Sequence, residues 1–88
     1  MDKKLIYNII VGIIDSTKNI DEAYEVNMDT CLLTDIPSFD SLRALEMAVE
    51  LEDKLQLDIE LDLNLFLNDK NVPRSIREII DILIEVSK

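Results

Sequence analysis

Asp40-Ser41-Leu42-Arg43-Ala44-Leu45-Glu46-Met47-Ala48-Val49-Glu50-Leu51-Glu52-Asp53-Lys54-Leu55 is the stretch that decides the fold. It has no Gly or Pro, and its apolar residues recur at helical spacing. Asp40 and Ser41 are both favoured N-caps, because their side-chain oxygens accept the unpaired first-turn amides. The helix is therefore expected to begin at one or the other and to run to about Leu55. At about 100° per residue, Ala44, Met47, Ala48, Leu51 and Leu55 fall on one side and are expected in a core. Leu42, Leu45 and Val49 fall on roughly the opposite side, among Glu46, Glu52 and Asp53. A helix that only served a core would be polar there. Aliphatic groups interleaved with carboxylates suit a basic partner with an apolar centre.

Upstream, Leu5, Ile6, Ile9, Ile10 and Ile13 form a broad apolar stripe, which predicts a helix from Lys3 to about Ser16. Gly12 inside it suggests close approach of a neighbour. Thr17 to Asp40 keeps no sustained period and is rich in turn formers such as Asn19, Asn27, Asp29, Pro37 and Ser38. A loop this long is uncommon without a function or an internal helix, and Asp21 to Tyr24 is a candidate for one turn. Downstream, Leu55, Leu57, Ile59, Leu61, Leu63, Leu65 and Leu67 alternate like a strand. No second strand is evident to pair with it. The last helix is expected over about Val72 to Val86, with Pro73 in its first turn and Ile76, Ile79, Ile80, Leu83 and Val86 as its stripe.

The chain has 88 residues, 48% hydrophobic and 32% charged, with one Gly and two Pro. These values fit one domain over residues 1–88, all-α and globular, with little room for an enclosed enzyme site. Nine basic against 19 acidic residues give a net charge of −10. That field repels nucleic acid and anionic lipid and attracts basic partners. There is no His, so imidazole metal sites and Ser-His or Cys-His pairs are excluded. Cys31 is alone and reads as a small, partly buried apolar residue. Leu5 to Ile14 is too short to span a bilayer, and no small-residue cleavage site follows it, so a cytoplasmic protein is expected. Asp58, Glu60, Asp62, Asn64 and Asp69 match a calcium loop only in composition, lacking its central Gly and closing Glu.

The register of Asp40-Ser41-Leu42, followed by Leu45, Glu46, Met47, Leu51, Glu52, Asp53 and Leu55, resembles the modification site of acyl carrier proteins. Ile59 and the Val72, Ile76, Ile79 spacing continue the likeness, which covers Asp40 to about Leu83, with Leu5 to Ile13 as a first helix. The resemblance implies a small four-helix bundle with three longer helices and one short one. It places a loop and then a short helix across the alternating segment, taken as extended from Gln56 to about Leu61 and helical from Asp62 to Leu67. It implies that the chain is not an enzyme. Ser41 would instead accept 4′-phosphopantetheine from coenzyme A through a separate phosphopantetheinyl transferase, with Asp40 helping to position that enzyme's metal and coenzyme. The arm's thiol would carry an acyl group as a thioester. Leu42, Arg43, Leu45, Glu46, Val49, Glu52 and Asp53 would form the docking face for loading and condensing enzymes with basic patches. Met47, Leu51, Leu55, Ile59 and Ile76 would line a core that opens for an acyl chain. A carrier that visits several enzymes is expected as a monomer.

The Thr17 to Asp40 loop and two single positions depart from the family pattern. Ser38 stands where carriers of fatty acid synthesis usually have Gly, and Arg43 follows the triplet where an acidic residue is common. These favour a specialised carrier of a polyketide, nonribosomal-peptide or other dedicated pathway, with Arg43 selecting its partner. The contrasting reading is an unmodified acidic helical adaptor that binds a basic or apolar partner through the helix of residues 41–55. Autonomous Ser41 catalysis is disfavoured, because the chain has no His, the glycine-flanked nucleophile elbow is absent, and the nearest Lys in sequence, Lys54, is most of a helix away.

Overall fold

Each helix of this chain begins or ends where a side chain or a loop meets its orphan backbone groups. The computed structural model describes residues 2–17, 26–36, 39–57 and 61–87. Three longer helices, α1 (Lys3–Thr17), α3 (Ser41–Leu55) and α4 (Ile76–Val86), are joined by a short α2 (Leu32–Asp35) and a 3-10 turn (Leu63–Leu65). The described residues form an all-α bundle of four helices, with no strand among them. Its radius of gyration of 12.1 Å matches the size scaling for a folded chain of this length, about 12 Å.

The core is one cluster drawn from every element. Ile6, Ile10, Ile13 and Ile14 of α1 meet Ala44, Met47, Ala48 and Leu51 of α3 and Ile76, Ile79, Ile80 and Leu83 of α4. Burying each large aliphatic side chain is worth about 1.5–3 kcal/mol. Leu32 and Ile36 add α2 and its exit, and Leu65 and Phe66 add the 3-10 turn. The stripe expected on α1 is rotated slightly, since Ile14 is buried whereas Leu5 is 53% exposed. Gly12 does not serve close packing, because a Cβ built on it meets nothing within 4 Å.

Among the described residues of the alternating segment from Leu55 to Leu67 there is no strand, and Gln56, expected to open an extended stretch to about Leu61, is not extended; residues 58–60 lie outside the described residues. Gln56 takes a left-handed conformation (φ 52°, ψ 49°) that ends α3, and the Leu57 amide donates to the Glu52 carbonyl at 3.0 Å. This pattern closes a helix. The expected short helix from Asp62 is a 3-10 turn whose cap is Asp62, its carboxylate accepting the Asn64 amide at 2.9 Å. The short α-helix is instead α2, a part of the long loop that lacked periodicity. The candidate turn at residues 21–24 lies outside the described residues.

The last helix starts later than its apolar spacing suggests. Ser75 is its N-cap and forms a capping box with Glu78. Pro73 precedes the helix and pairs with Leu67 in an isolated bridge. The first amides of α4 are taken up by the loop between α1 and α2: Ile76 donates to the Thr30 carbonyl at 2.8 Å and Arg77 to the Met28 carbonyl at 2.9 Å. Cys31 and Ser75 form a second bridge, and the Tyr7 hydroxyl donates to the Val26 carbonyl at 3.0 Å. The loop is therefore tied to both α1 and α4 by backbone groups that the sequence pattern does not reveal.

Candidate functional site at the start of helix α3

Asp40, and not Ser41, caps α3. Asp40 is extended (φ −102°, ψ −173°), and its Oδ1 accepts the Arg43 amide at 3.0 Å. Its carbonyl accepts the Ala44 amide at 2.9 Å, the first bond of the helix. Ser41 is thus the first helical residue, and it is exposed. Its hydroxyl is not spent on capping. The Ser41 and Leu42 amides meet no acceptor among the described residues, unlike those of Ile76 and Arg77 at the start of α4. Free amides and the helix dipole together favour an anion at this end.

Phe39 holds the chain that leads into the site. It is buried, its amide donates to the Ile36 carbonyl at 3.0 Å, and its ring lies 5.7 Å from that of Phe66 at 56°. That tilted pairing is favourable for aromatic rings. Phe39 was not among the residues expected to matter. Its signal was present as a large apolar residue directly before a cap, the position from which a side chain staples a helix start.

The outer face of α3 is as the spacing implies. Leu42 is 63% exposed, Leu45 42% and Val49 64%. Glu46 and Asp53 are exposed beside them, while Arg43 and Glu52 are half-buried. A shallow concavity of about 350 Å³ is lined by Asp40, Leu42, Arg43 and Glu46. The residues expected to line an acyl pocket do not form an open one. Met47, Leu51 and Ile76 are core residues with at most 1% exposure. Leu55 is half-buried at the far end of α3, and Ile59 lies outside the described residues.

Cys31 is half-buried ahead of α2, and its thiol is held above its ordinary pKa. Burial is the main cause, and the carboxylates of Asp35 and Glu78 add to it. Among the described residues no cluster of Cys, Asp or Glu could hold a metal ion. Among them, too, no helix is long and apolar enough to cross a membrane.

No known family model, curated protein or solved structure matches this chain. The functional reading therefore rests on the residues themselves.

Proposed function

We propose that this protein is an acyl or peptidyl carrier modified at Ser41. The observation that carries this reading is the division of labour at the start of α3. Asp40 takes the capping role, which leaves an exposed hydroxyl at the first helical position beside unpaired amides. A phosphopantetheinyl transferase would supply the base that Ser41 lacks. The Ser41 oxygen would attack the β-phosphorus of coenzyme A and break the phosphoanhydride bond. Adenosine 3′,5′-bisphosphate would leave, and the hydroxyl proton would pass to the transferase. The Ser41 and Leu42 amides would face the resulting phosphodiester, whose charge the helix dipole stabilises. The arm's thiol then supplies the thioester chemistry, with the cargo's acyl carbon bound to sulfur.

Leu42, Leu45 and Val49 would make the apolar centre of the docking face, with Glu46, Glu52 and Asp53 steering basic partners of fatty acid, polyketide or related biosynthesis. Arg43 places one positive charge within that acidic rim and would penalise partners whose matching position is basic. Met47, Leu51, Leu55 and Ile76 form the wall that must open for any chain to enter the core.

The test is intact mass after incubation with coenzyme A, magnesium and a broad-specificity transferase, with Ser41→Ala as control. Gain of one phosphopantetheine by the parent and none by the variant is the expected result. An unchanged mass across transferases of differing specificity would refute modification and leave an acidic adaptor acting through α3.

A further inference from the structure

Ser41 stands on an exposed overhang. Asp40, Ser41 and Leu42 are all exposed, and the nearest buried side chains in sequence are Phe39 on one side and Ala44 on the other. Ala44 is fixed from within α3, since its amide donates to the Asp40 carbonyl at 2.9 Å. A helix start is commonly stapled by contact between the residue before the cap and the fourth helical residue. Here those are Phe39 and Ala44, and Ala44 offers only a methyl group. The Phe39 ring pairs with Phe66, centroid to centroid at 5.7 Å. A tertiary contact thus stands where a local one is usual.

The platform under that ring is held in its turn. Phe66 caps the 3-10 turn at its C-terminal end and is 1% exposed. Its amide donates to the Leu63 carbonyl at 2.9 Å, and its carbonyl accepts the Arg74 amide at 2.7 Å. The Arg74 guanidinium reaches back through Nε to the Asn64 carbonyl at 3.1 Å. The 3-10 turn is thereby fastened to the segment that leads into α4. The starts of α3 and α4 differ in how they are tied down. Carbonyls of the α1–α2 loop hold the first amides of α4 directly. Among the described residues, no backbone hydrogen bond from another helix or loop ties residues 40–42 in that way. The ring pair is the tertiary hold next to the overhang.

We infer that Phe39 and Phe66 are positioning residues for modification at Ser41: the ring pair holds the first turn of α3 formed, so that the hydroxyl meets the transferase in one place. The inference rests on modification at Ser41. Both rings are closed to a partner, at 5% and 1% exposure, so they act through the overhang and touch no reacting atom. Group transfer is sensitive to such placement, since a displacement of about 1 Å can cost about 10²-fold in rate.

Phe39→Leu and Phe66→Leu keep an apolar side chain at each place and remove the ring pair. Leu83→Val trims a buried α4 residue outside the pair and controls for lost core packing. Circular dichroism establishes that each variant is folded at the assay temperature, and either ring variant suffices should the other not fold. Loading from coenzyme A, with magnesium and the transferase, is followed by intact mass over a range of carrier concentrations. Both ring variants are expected to keep KM within about twofold, because the Leu45 and Val49 face is untouched, and to lose kcat. If the first turn is formed about one-tenth of the time without the pair, kcat falls about tenfold. The double variant is expected to be no slower than either single one, as for two residues that act as a unit. Leu83→Val is expected to load at the parental rate. Hydrogen exchange gives a second measure apart from activity: the Arg43 and Ala44 amides are expected to exchange faster in the ring variants than in Leu83→Val. Nuclear Overhauser contacts between the two rings in the parent need no variant, and their absence would overturn the inference. Parental kcat in the ring variants would overturn it too, as would a raised KM at parental kcat, which would assign the rings to docking. A parent that takes no arm in the same assay would instead sink the Ser41 reading, and this inference with it.

Discussion

At the residue scale, the adjacent Asp40 and Ser41 separate stability from chemistry. Asp40 accepts the Arg43 amide, and removing such a cap costs about 0.5–2 kcal/mol. Asp40→Ala is therefore expected to lower the urea midpoint, while Asp40→Asn keeps the cap and most of the stability. Ser41→Ala replaces an exposed, non-capping residue by the best helix former. It should leave the stability within about 0.5 kcal/mol of the parent while abolishing arm attachment. A large loss of stability in Ser41→Ala would show that the hydroxyl serves the fold after all. Cys31 gives a second expectation at this scale. Its thiol pKa is raised by burial and then by Asp35 and Glu78, so at neutral pH it holds less of the reactive thiolate than an ordinary thiol. In the modified protein, iodoacetamide is expected to alkylate the arm first and Cys31 slowly. Peptide mass mapping over a time course reads this directly, and faster labelling at Cys31 than on the arm would contradict it. As pH rises through the raised folded value, burial of the neutral thiol ceases to favour the folded state, so its share of stability is lost on the alkaline side.

At the scale of elements, what the sequence revealed tracks how much of the signal is local. The bounds of α3 and its two faces follow from spacing alone, because one side of an isolated helix is set by its own residues. Its end at Leu55 is where the spacing places it, although Gln56 adopts the left-handed conformation there without the Gly that normally announces it. The start of α4 was misplaced toward Pro73. Apolar spacing ran on through Val72, while the deciding signal was the Ser75–Glu78 box and the carbonyls of Thr30 and Met28, which are distant in sequence. Helix α2 carries just four residues, too few for a period to show. Its Leu32 and the following Ile36 are buried by tertiary contacts alone. Of the candidate site, the Asp40–Ser41 start and the Leu42, Leu45, Val49 face were legible. Phe39 was not, because its burial against Phe66 depends on elements brought together from across the chain. Gly12 yields a test at this scale. It sits inside α1 at ordinary helical angles with open space where a Cβ would go. Gly12→Ala is expected to stabilise the protein by up to about 1 kcal/mol through reduced backbone freedom. Thermal unfolding checks this. A destabilised variant would reveal a tight contact at Gly12 that the geometry does not contain.

At the scale of the whole molecule, the charge of −10 acts on folding and on docking with opposite signs. Gathering 19 acidic side chains against nine basic ones into a particle with a 12.1 Å radius of gyration brings like charges closer than in the unfolded chain. Self-repulsion therefore weakens the compact state. The ion pairs on the surface do little to offset it, since Lys3–Asp81 and Arg77–Asp29 are exposed and such pairs are worth at most about 1 kcal/mol. Raising ionic strength from roughly 0.01 M to 0.15 M shortens the screening length from about 30 Å to about 8 Å. Screening relieves the repulsion, so Tm should climb, by about 4–8 °C for each kcal/mol recovered in a domain of this size. The same salt should weaken capture by any basic partner at the Leu42–Val49 face, mainly by slowing association. Measuring unfolding and transferase loading across one sodium chloride series reads both trends on one sample. The expected outcome is that thermal stability rises as the loading rate at sub-saturating carrier falls. Stability that stays flat across the series would show that the carboxylates are spread widely enough not to oppose folding. A salt-independent loading rate would show that recognition at α3 rests on its exposed aliphatic residues without help from the acidic rim.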